Sequence, residues 1–118
     1  MYTLCVEDKF SAAHQLIDYN GPCENLHGHT FKVKVCVYGE KLNSLSLLID
    51  FTDLKKILKD IRDQLDHQFL NNVLNFSPTS ENLSKYFYDK VKEKLPLEVK
   101  LKEVTLWESE TSSATYND

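Results

Sequence analysis

The chain has 118 residues, of which 42% are hydrophobic and 27% are charged, a composition typical of a soluble globular protein. This length corresponds to a single domain, residues 1–118. The net charge of −4, without any run of basic residues, argues against binding to nucleic acids.

The N-terminal segment lacks a charged region followed by an apolar core, so we expect no signal peptide. The apolar runs are also too short to span a bilayer. The three cysteines, Cys5, Cys23 and Cys36, are an odd number. In the absence of a secretory signal, this count favours reduced thiols in a cytoplasmic protein.

Two strands joined by a loop are predicted in the first third of the chain. Residues 2–14 alternate between polar and apolar side chains, and the polar pair Glu7 and Asp8 predicts a bend or bulge within them. Residues 15–26 have the Asn, Asp, Gly and Pro content of a loop. Residues 27–38 alternate most clearly and predict the second strand, whose apolar face begins with two histidines.

Two helices and two further strands are predicted in the rest of the chain. A repeat of apolar residues at i, i+3, i+4 and i+7 predicts a helix from about Asp53 to Leu65. An irregular connection, residues 66–78, leads to a second helix from about Ser80 to Leu95. The last strands span about 99–108 and 111–116. This order indicates an α+β fold, in which an antiparallel sheet carries two helices on one face and leaves its other face open for oligomerisation.

Three of the four histidines lie at the strand ends that flank the loop. If the two strands pair antiparallel through that loop, His14 approaches His27 and His29. Three neutral imidazoles with one open position are the ligand arrangement of a catalytic zinc ion. The alternative is a set of surface or capping histidines, since His-x-His pairs also occur by chance.

Cys23 precedes the histidine pair in the loop, and three interpretations of it are open. It is a fourth ligand that closes the metal site, or a nucleophile or general base whose thiolate the metal favours, or a buried loop thiol. Cys5 and Cys36 lie on the strands without polar neighbours, and we interpret both as structural.

Four polar residues in the second half of the chain are further candidates. Asp66 and His67 place a carboxylate beside an imidazole, which can shuttle protons near neutral pH if the two side chains meet; the alternative is a polar helix end. Glu108 shares its strand face with apolar residues, so it is either a buried carboxylate that recognises an amino-pyrimidine edge or an exposed sheet-edge residue. Thr79 is interpreted first as a helix cap and second as a ligand contact.

Taken in order, these motifs resemble the 6-pyruvoyl-tetrahydropterin synthase family. The matching segments run along essentially the whole chain: Phe10-Ser11-Ala12-Ala13-His14, Cys23-x3-His27-Gly28-His29, Asp50-Phe51-x2-Leu54-Lys55, Leu65-Asp66-His67-x2-Leu70-Asn71, Pro78-Thr79-x-Glu81-Asn82 and Trp107-Glu108. The gap of three residues between Cys23 and His27 resembles the queuosine-pathway branch, whose members form 6-carboxy-5,6,7,8-tetrahydropterin. Pyruvoyl-forming members usually have a longer gap.

The resemblance implies a tunnelling fold (T-fold), in which three sheets close into a barrel and two trimers stack as a homohexamer. It implies a zinc-dependent lyase that converts 7,8-dihydroneopterin triphosphate to the 6-carboxy product and releases acetaldehyde and triphosphate. The alternatives are a sister activity, either the pyruvoyl-forming synthase or another cleavage of the pterin side chain, and, more remotely, a zinc-stabilised binding module without turnover.

The resemblance also implies roles for individual residues. It implies that Zn²⁺ is bound by three imidazoles, those of His14, His27 and His29. Cys23 is implied to be the proton-abstracting base, with Asp66 and His67 completing a relay from a neighbouring subunit. Glu108 is implied to hold the pterin ring by its 2-amino and ring N–H groups.

Overall fold

The computed structural model describes residues 1–16 and 26–118. Its elements in chain order are β1 (Tyr2–His14), β2 (His27–Gly39), α1 (Phe51–Arg62), α2 (Leu70–Val73), α3 (Ser80–Lys94), β3 (Lys100–Ser109) and β4 (Ser112–Tyr116). The strands form one antiparallel sheet in the order β1-β2-β3-β4. The predicted α+β fold is confirmed, and the single turn of α2 is an addition within the predicted connection.

The hydrophobic core lies between this sheet and the helices α1 and α3. Alternate residues of β2 point into it and are fully buried, as are the apolar stripes of the two helices. These residues are Phe31, Val33, Val35 and Val37 from β2, Leu54, Leu58 and Ile61 from α1, and Leu83, Phe87 and Val91 from α3. Each buried side chain of this size contributes about 1.5–3 kcal/mol to folding. His27 and His29 continue the same alternation along β2. The packing of this face against the helices therefore sets the side of the sheet on which the two histidines lie.

The opposite face of the sheet carries lysine side chains beside an aromatic ring, together with the buried residues Cys36 and Thr105. Lys32 and Lys34 extend from β2 on this face, and the Lys32 ammonium lies 4.3 Å from the centre of the Trp107 ring. No helix within residues 1–16 and 26–118 combines the length and the apolar character that crossing a membrane requires.

The two long helices begin at side-chain caps. Asp50 accepts a hydrogen bond from the Thr52 N–H at 2.8 Å, so α1 begins two residues earlier than predicted. Thr79 accepts one from the Asn82 N–H at 3.1 Å at the start of α3. The helix α3 ends before Leu95, whose extended backbone (φ −77°, ψ 145°) is the conformation that a following proline imposes.

The predicted bend at Glu7 and Asp8 is wrong. β1 and β2 pair in unbroken register from Tyr2 opposite Gly39 to His14 opposite His27. No bend is needed at Asp8, because its carboxylate has a partner within the regular strand. Arg62 Nε donates a hydrogen bond to Asp8 Oδ2 at 3.2 Å. Register shifts occur instead in β3, one in its pairing with β2 and one in its pairing with β4. The second is a β-bulge in which Glu108 is the extra residue between Trp107 and Ser109.

The expectation of reduced thiols is wrong for Cys5 and Cys36. The two residues lie directly opposite each other in the β1-β2 ladder with their Cα atoms 4.2 Å apart, and their sulfur atoms are bonded. Directly opposed residues of an antiparallel pair come this close at the positions without mutual hydrogen bonds. A count of cysteines carries no information about this register. Cys23 lies outside the described residues.

Candidate metal centre

Three histidines meet at one end of the β1-β2 pair. His14 lies opposite His27 in the register, and His29 follows two residues later on the same face of β2. The three ring centres are 4.5 to 5.0 Å apart. The predicted convergence of the imidazoles is confirmed, because antiparallel pairing returns β2 to the point where β1 ends.

The ring of His14 is fully buried and held in one orientation. Its Nδ1 lies 2.7 Å from the carbonyl oxygen of Pro78, just before α3. Because a carbonyl can only accept a hydrogen bond, Nδ1 carries the proton and donates. The lone pair of Nε2 is then free for the cluster, where this atom lies 3.0 Å from Nε2 of His27. This is the tautomer in which an imidazole binds a metal through Nε2.

Glu108 reaches the same cluster from the bulge in β3. Its Oε1 lies 3.2 Å from Nε2 of His29, and the hydroxyl of Ser80 donates to its Oε2 at 3.1 Å. The distance to His29 is that of an ion pair, yet Nε2 is buried and has no hydrogen bond of acceptable geometry. Burial lowers the pKa of His29, and the charges of the other two histidines act in the same direction, against the opposing effect of Glu108. His29 therefore favours the neutral form that binds metals.

These side chains fit a metal ion. One ligand atom from each of four residues lies within 4.8 Å of all the others, namely from His14, His27, His29 and Glu108. Neutral imidazole nitrogens and a carboxylate oxygen are ligands that Zn²⁺ prefers. A metal ion would also satisfy the buried nitrogen of His29 that lacks a hydrogen bond.

Asp66 and His67 lie along the outer edge of β1, where the segment that follows α1 hydrogen-bonds to the strand. The His67 N–H donates to the Ser11 carbonyl at 2.6 Å, and the Ser11 N–H donates to Asp66 Oδ1 at 2.9 Å. The same carboxylate oxygen lies 3.1 Å from Nδ1 of His67. His67 has a positive φ of 59°, a left-handed conformation that is uncommon for residues other than glycine and that sequence alone does not reveal. The Asp–His contact is thus present, and His67 lines the same open cavity as His29.

The pKa of Asp66 is lowered. The hydrogen bond from the Ser11 N–H is the main cause, and His67 and Arg62 act in the same direction, against partial burial that raises the pKa. Asp66 is therefore ionised at neutral pH and acts as an acceptor for the imidazole beside it.

Sequence reasoning missed the contacts that the start of α3 makes with the site. It interpreted Thr79 as a cap, which is confirmed, but the neighbouring Pro78 carbonyl holds His14 and the Ser80 hydroxyl holds Glu108. The Pro78-Thr79 motif was the sequence signal for these contacts. It marks a helix start, and the polar groups of a helix start can hydrogen-bond to side chains at a nearby strand end. The role of Cys23 falls in the part of the chain that is not described.

The fold matches that of a solved 6-pyruvoyl tetrahydropterin synthase. The 6-pyruvoyl tetrahydropterin synthase of Caenorhabditis elegans superposes with a TM-score of 0.87 at 30% sequence identity, and the alignment covers 99% of this chain and 95% of that one. The sheet with helices on one face, together with the histidine cluster, defines a T-fold protein with a metal-binding centre.

The sequence comparisons identify the family within this class. The profile described as 6-pyruvoyl tetrahydropterin synthase matches residues 3–118. The chain is 30% identical to the 6-carboxy-5,6,7,8-tetrahydropterin synthase of Haemophilus influenzae over an alignment of 143 residues that covers 100% of both chains. It is 40% identical to the dihydroneopterin monophosphate aldolase of Pyrococcus furiosus over 85 residues, 72% of each. The chain therefore belongs to the 6-pyruvoyl tetrahydropterin synthase family.

Proposed function

We propose that residues 1–118 form one domain that is a zinc-dependent lyase acting on the side chain of a pterin. The proposed reaction converts 7,8-dihydroneopterin triphosphate and one water molecule to 6-carboxy-5,6,7,8-tetrahydropterin, with release of acetaldehyde and triphosphate, as a step toward queuosine. The observation that carries this proposal is the convergence of three imidazoles and Glu108 in a chain of this family. The short gap between Cys23 and His27 and the full-length similarity to the Haemophilus enzyme support the carboxy-forming reaction.

In this proposal the three imidazoles hold the metal. Zinc bound there supplies Lewis-acid chemistry toward the oxygen groups of the pterin side chain. His14 is held ready for this role by the Pro78 carbonyl, which fixes the proton on Nδ1. The lowered pKa of His29 keeps that imidazole neutral near pH 7.

Glu108 is proposed to hold the pterin ring. A carboxylate can accept two parallel N–H groups at once, and the 2-amino group and the adjacent ring N–H of a pterin form such a pair. The hydroxyl of Ser80 fixes the carboxylate at 3.1 Å, and the bulge in β3 directs it toward the histidines. Thr79 lies next to Ser80 and is proposed as a second contact to the substrate. Although a Glu108 oxygen lies within reach of the histidine nitrogens, this proposal gives the carboxylate to the ring and leaves the metal to the three imidazoles.

Cys23 is proposed as the base that removes a proton from the side chain, with Asp66 and His67 as the relay. The Asp–His pair lies at the edge of β1, and the His67 side chain is 81% exposed. A pair so placed can serve the site of a neighbouring subunit, which supports a homohexamer with active sites between subunits. In that assembly the sheet face that carries Lys32 and Lys34 would lie against neighbouring subunits.

The experiment that tests this function is product identification by mass spectrometry. Zinc-loaded protein is incubated with 7,8-dihydroneopterin triphosphate, with Cys23→Ala and His29→Ala as variants. The proposal expects 6-carboxy-5,6,7,8-tetrahydropterin from the wild type, zinc without turnover in Cys23→Ala, and neither zinc nor turnover in His29→Ala. A pyruvoyl product would assign the sister synthase, and loss of zinc in Cys23→Ala would make Cys23 a ligand instead of the base.

A second candidate is cleavage of the pterin side chain without formation of the carboxylate. The 40% identity to the Pyrococcus aldolase over 72% of the chain favours it. The two candidates separate on substrate choice, because an enzyme of the second kind prefers 7,8-dihydroneopterin monophosphate to the triphosphate. The same assay with both substrates, at equal concentration, decides between them.

A further inference from the structure

Arg62, the last residue of α1, connects Asp66 to the sheet. Its Nη1–H donates to Asp66 Oδ2 at 2.9 Å, and its Nε–H donates to Asp8 Oδ2 at 3.2 Å. Asp8 belongs to β1, whose edge also supplies the Ser11 N–H to Asp66. The guanidinium is 22% exposed, so both ion pairs are partly shielded from solvent. Arg62 thus links the end of a helix to the strand edge that carries the Asp–His pair.

Both oxygens of the Asp66 carboxylate are engaged by these contacts. Oδ1 accepts from the Ser11 N–H and lies 3.1 Å from Nδ1 of His67, whereas Oδ2 accepts from Arg62. Rotation of the carboxylate would break a charge-assisted hydrogen bond, the stronger kind in proteins. The exposed ring of His67 has no other side-chain partner among the described residues. The orientation of this ring therefore depends on how firmly Asp66 is held.

We propose that Arg62 is a positioning residue for the Asp66–His67 pair. It fixes the carboxylate so that His67 keeps its Nδ1–H directed at Asp66 and leaves Nε2 to exchange protons. This inference rests on the proposed function, because it assigns work to a pair that acts in that reaction. Arg62 itself contacts neither metal ligand nor substrate group, and it acts only through Asp66.

The charged groups around the pair come from two elements. Arg62 and Asp63 lie at the end of α1, and Asp8 lies on β1. Removal of the guanidinium raises the pKa of Asp66 toward its usual value, because one of the groups that lower it is lost. It also frees the carboxylate to rotate away from the His67 ring, because the hydrogen bond that holds Asp66 Oδ2 is lost.

The test compares Arg62→Met with Lys59→Met in the full-length, zinc-loaded protein. Lys59 lies on the same helix and forms an ion pair with Asp63 at 2.7 Å, so the control removes the same charge without touching Asp66. For Arg62→Met we expect kcat to fall about 5- to 20-fold with KM within twofold. Arg62→Lys should restore only part of kcat, since one ammonium group does not replace the two-sided guanidinium. Lys59→Met should match the wild type.

Proton NMR of the His67 Nδ1–H signal adds a readout that needs no turnover, because this proton is protected from exchange with water only while it is held against Asp66. Loss or broadening of this signal in Arg62→Met, but not in Lys59→Met, supports the proposal. Equal kcat and equal Nδ1–H signals in both variants would overturn it. If the wild type does not act on pterins, the proposed function fails, while the NMR comparison still tests the hold of Arg62 on the pair.

A further variant covers the case in which Arg62→Met does not fold. Asp8→Asn removes only the second anchor of the guanidinium, so a smaller change in the same direction is expected. Unchanged His67 signals and unchanged kcat in both Asp8→Asn and Arg62→Lys would also overturn the proposal.

Discussion

Alanine substitutions at His14 and His29 should have the same effect on zinc binding but different effects on the stability of the metal-free protein. Both variants should lose zinc, because each removes one of three imidazoles. They should differ without metal, because His14 makes a buried hydrogen bond to the Pro78 carbonyl, whereas Nε2 of His29 is buried without one.

The difference follows from these two contacts. His14→Ala leaves the buried Pro78 carbonyl without its donor, which costs about 1–3 kcal/mol. The cavity left by its fully buried ring adds about 1–2 kcal/mol. His29→Ala also removes a ring. It removes at the same time a buried nitrogen without a hydrogen bond, and the burial of such a nitrogen costs the folded protein about 1–3 kcal/mol. The free energy of unfolding should therefore fall by about 2–5 kcal/mol in His14→Ala and by less than about 1 kcal/mol in His29→Ala.

The assay is urea unfolding of EDTA-treated protein, followed by circular dichroism at one protein concentration, because association between chains would otherwise change the midpoint. Zinc content is measured on the same samples before chelation. If metal-free His29→Ala is as unstable as His14→Ala, the reasoning from the buried nitrogen is refuted. Full zinc occupancy in His29→Ala would refute its place among the ligands.

Three further predictions concern the surroundings of the site. Ser80→Ala should weaken pterin binding about 5- to 10-fold, because Glu108 loses a hydrogen bond of 3.1 Å, and calorimetric titration with a pterin measures this; unchanged affinity would contradict the role of Ser80. Thr79→Ala should lower the free energy of unfolding by about 1 kcal/mol through loss of the cap on the Asn82 N–H, while Thr79→Ser keeps it; equal urea midpoints for the two variants would argue against the cap. Burial lowers the pKa of His29 below about 6.5, so the unfolded chain takes up this proton more readily, and the metal-free protein should lose stability as the pH falls below about 6.5 toward the lowered value. His29→Ala should flatten that part of the stability profile, and an unchanged slope would show that another group is responsible.

The strand that carries two of the histidines could be predicted because its pattern is local. Alternate residues of a half-buried strand face the core, so the apolar residues after His29 fixed the direction of both imidazoles. The approach of His14 followed from antiparallel pairing across a single loop. In the same way, Thr79 could be recognised as a cap from its position before an amphipathic helix.

The contacts that complete the site could not be predicted, because they join distant segments. The Pro78 carbonyl reaches His14 across 64 residues, and Ser80 reaches Glu108 across 28. These pairs form only when α3 packs against the sheet, and no periodic pattern marks them. The bond between Cys5 and Cys36 depends on the register of two strands, which a slip of one residue would abolish.

The most direct test of the metal centre is X-ray absorption spectroscopy of the zinc-loaded protein. The account predicts three imidazole nitrogens at about 2.0–2.1 Å, with any remaining ligand an oxygen and no sulfur in the first shell. Those nitrogens belong to His14, His27 and His29, so the signal of one imidazole should disappear in any alanine variant of the three that still retains metal. A sulfur neighbour at about 2.3 Å would contradict the account, because it would make Cys23 a ligand and close the site to substrate.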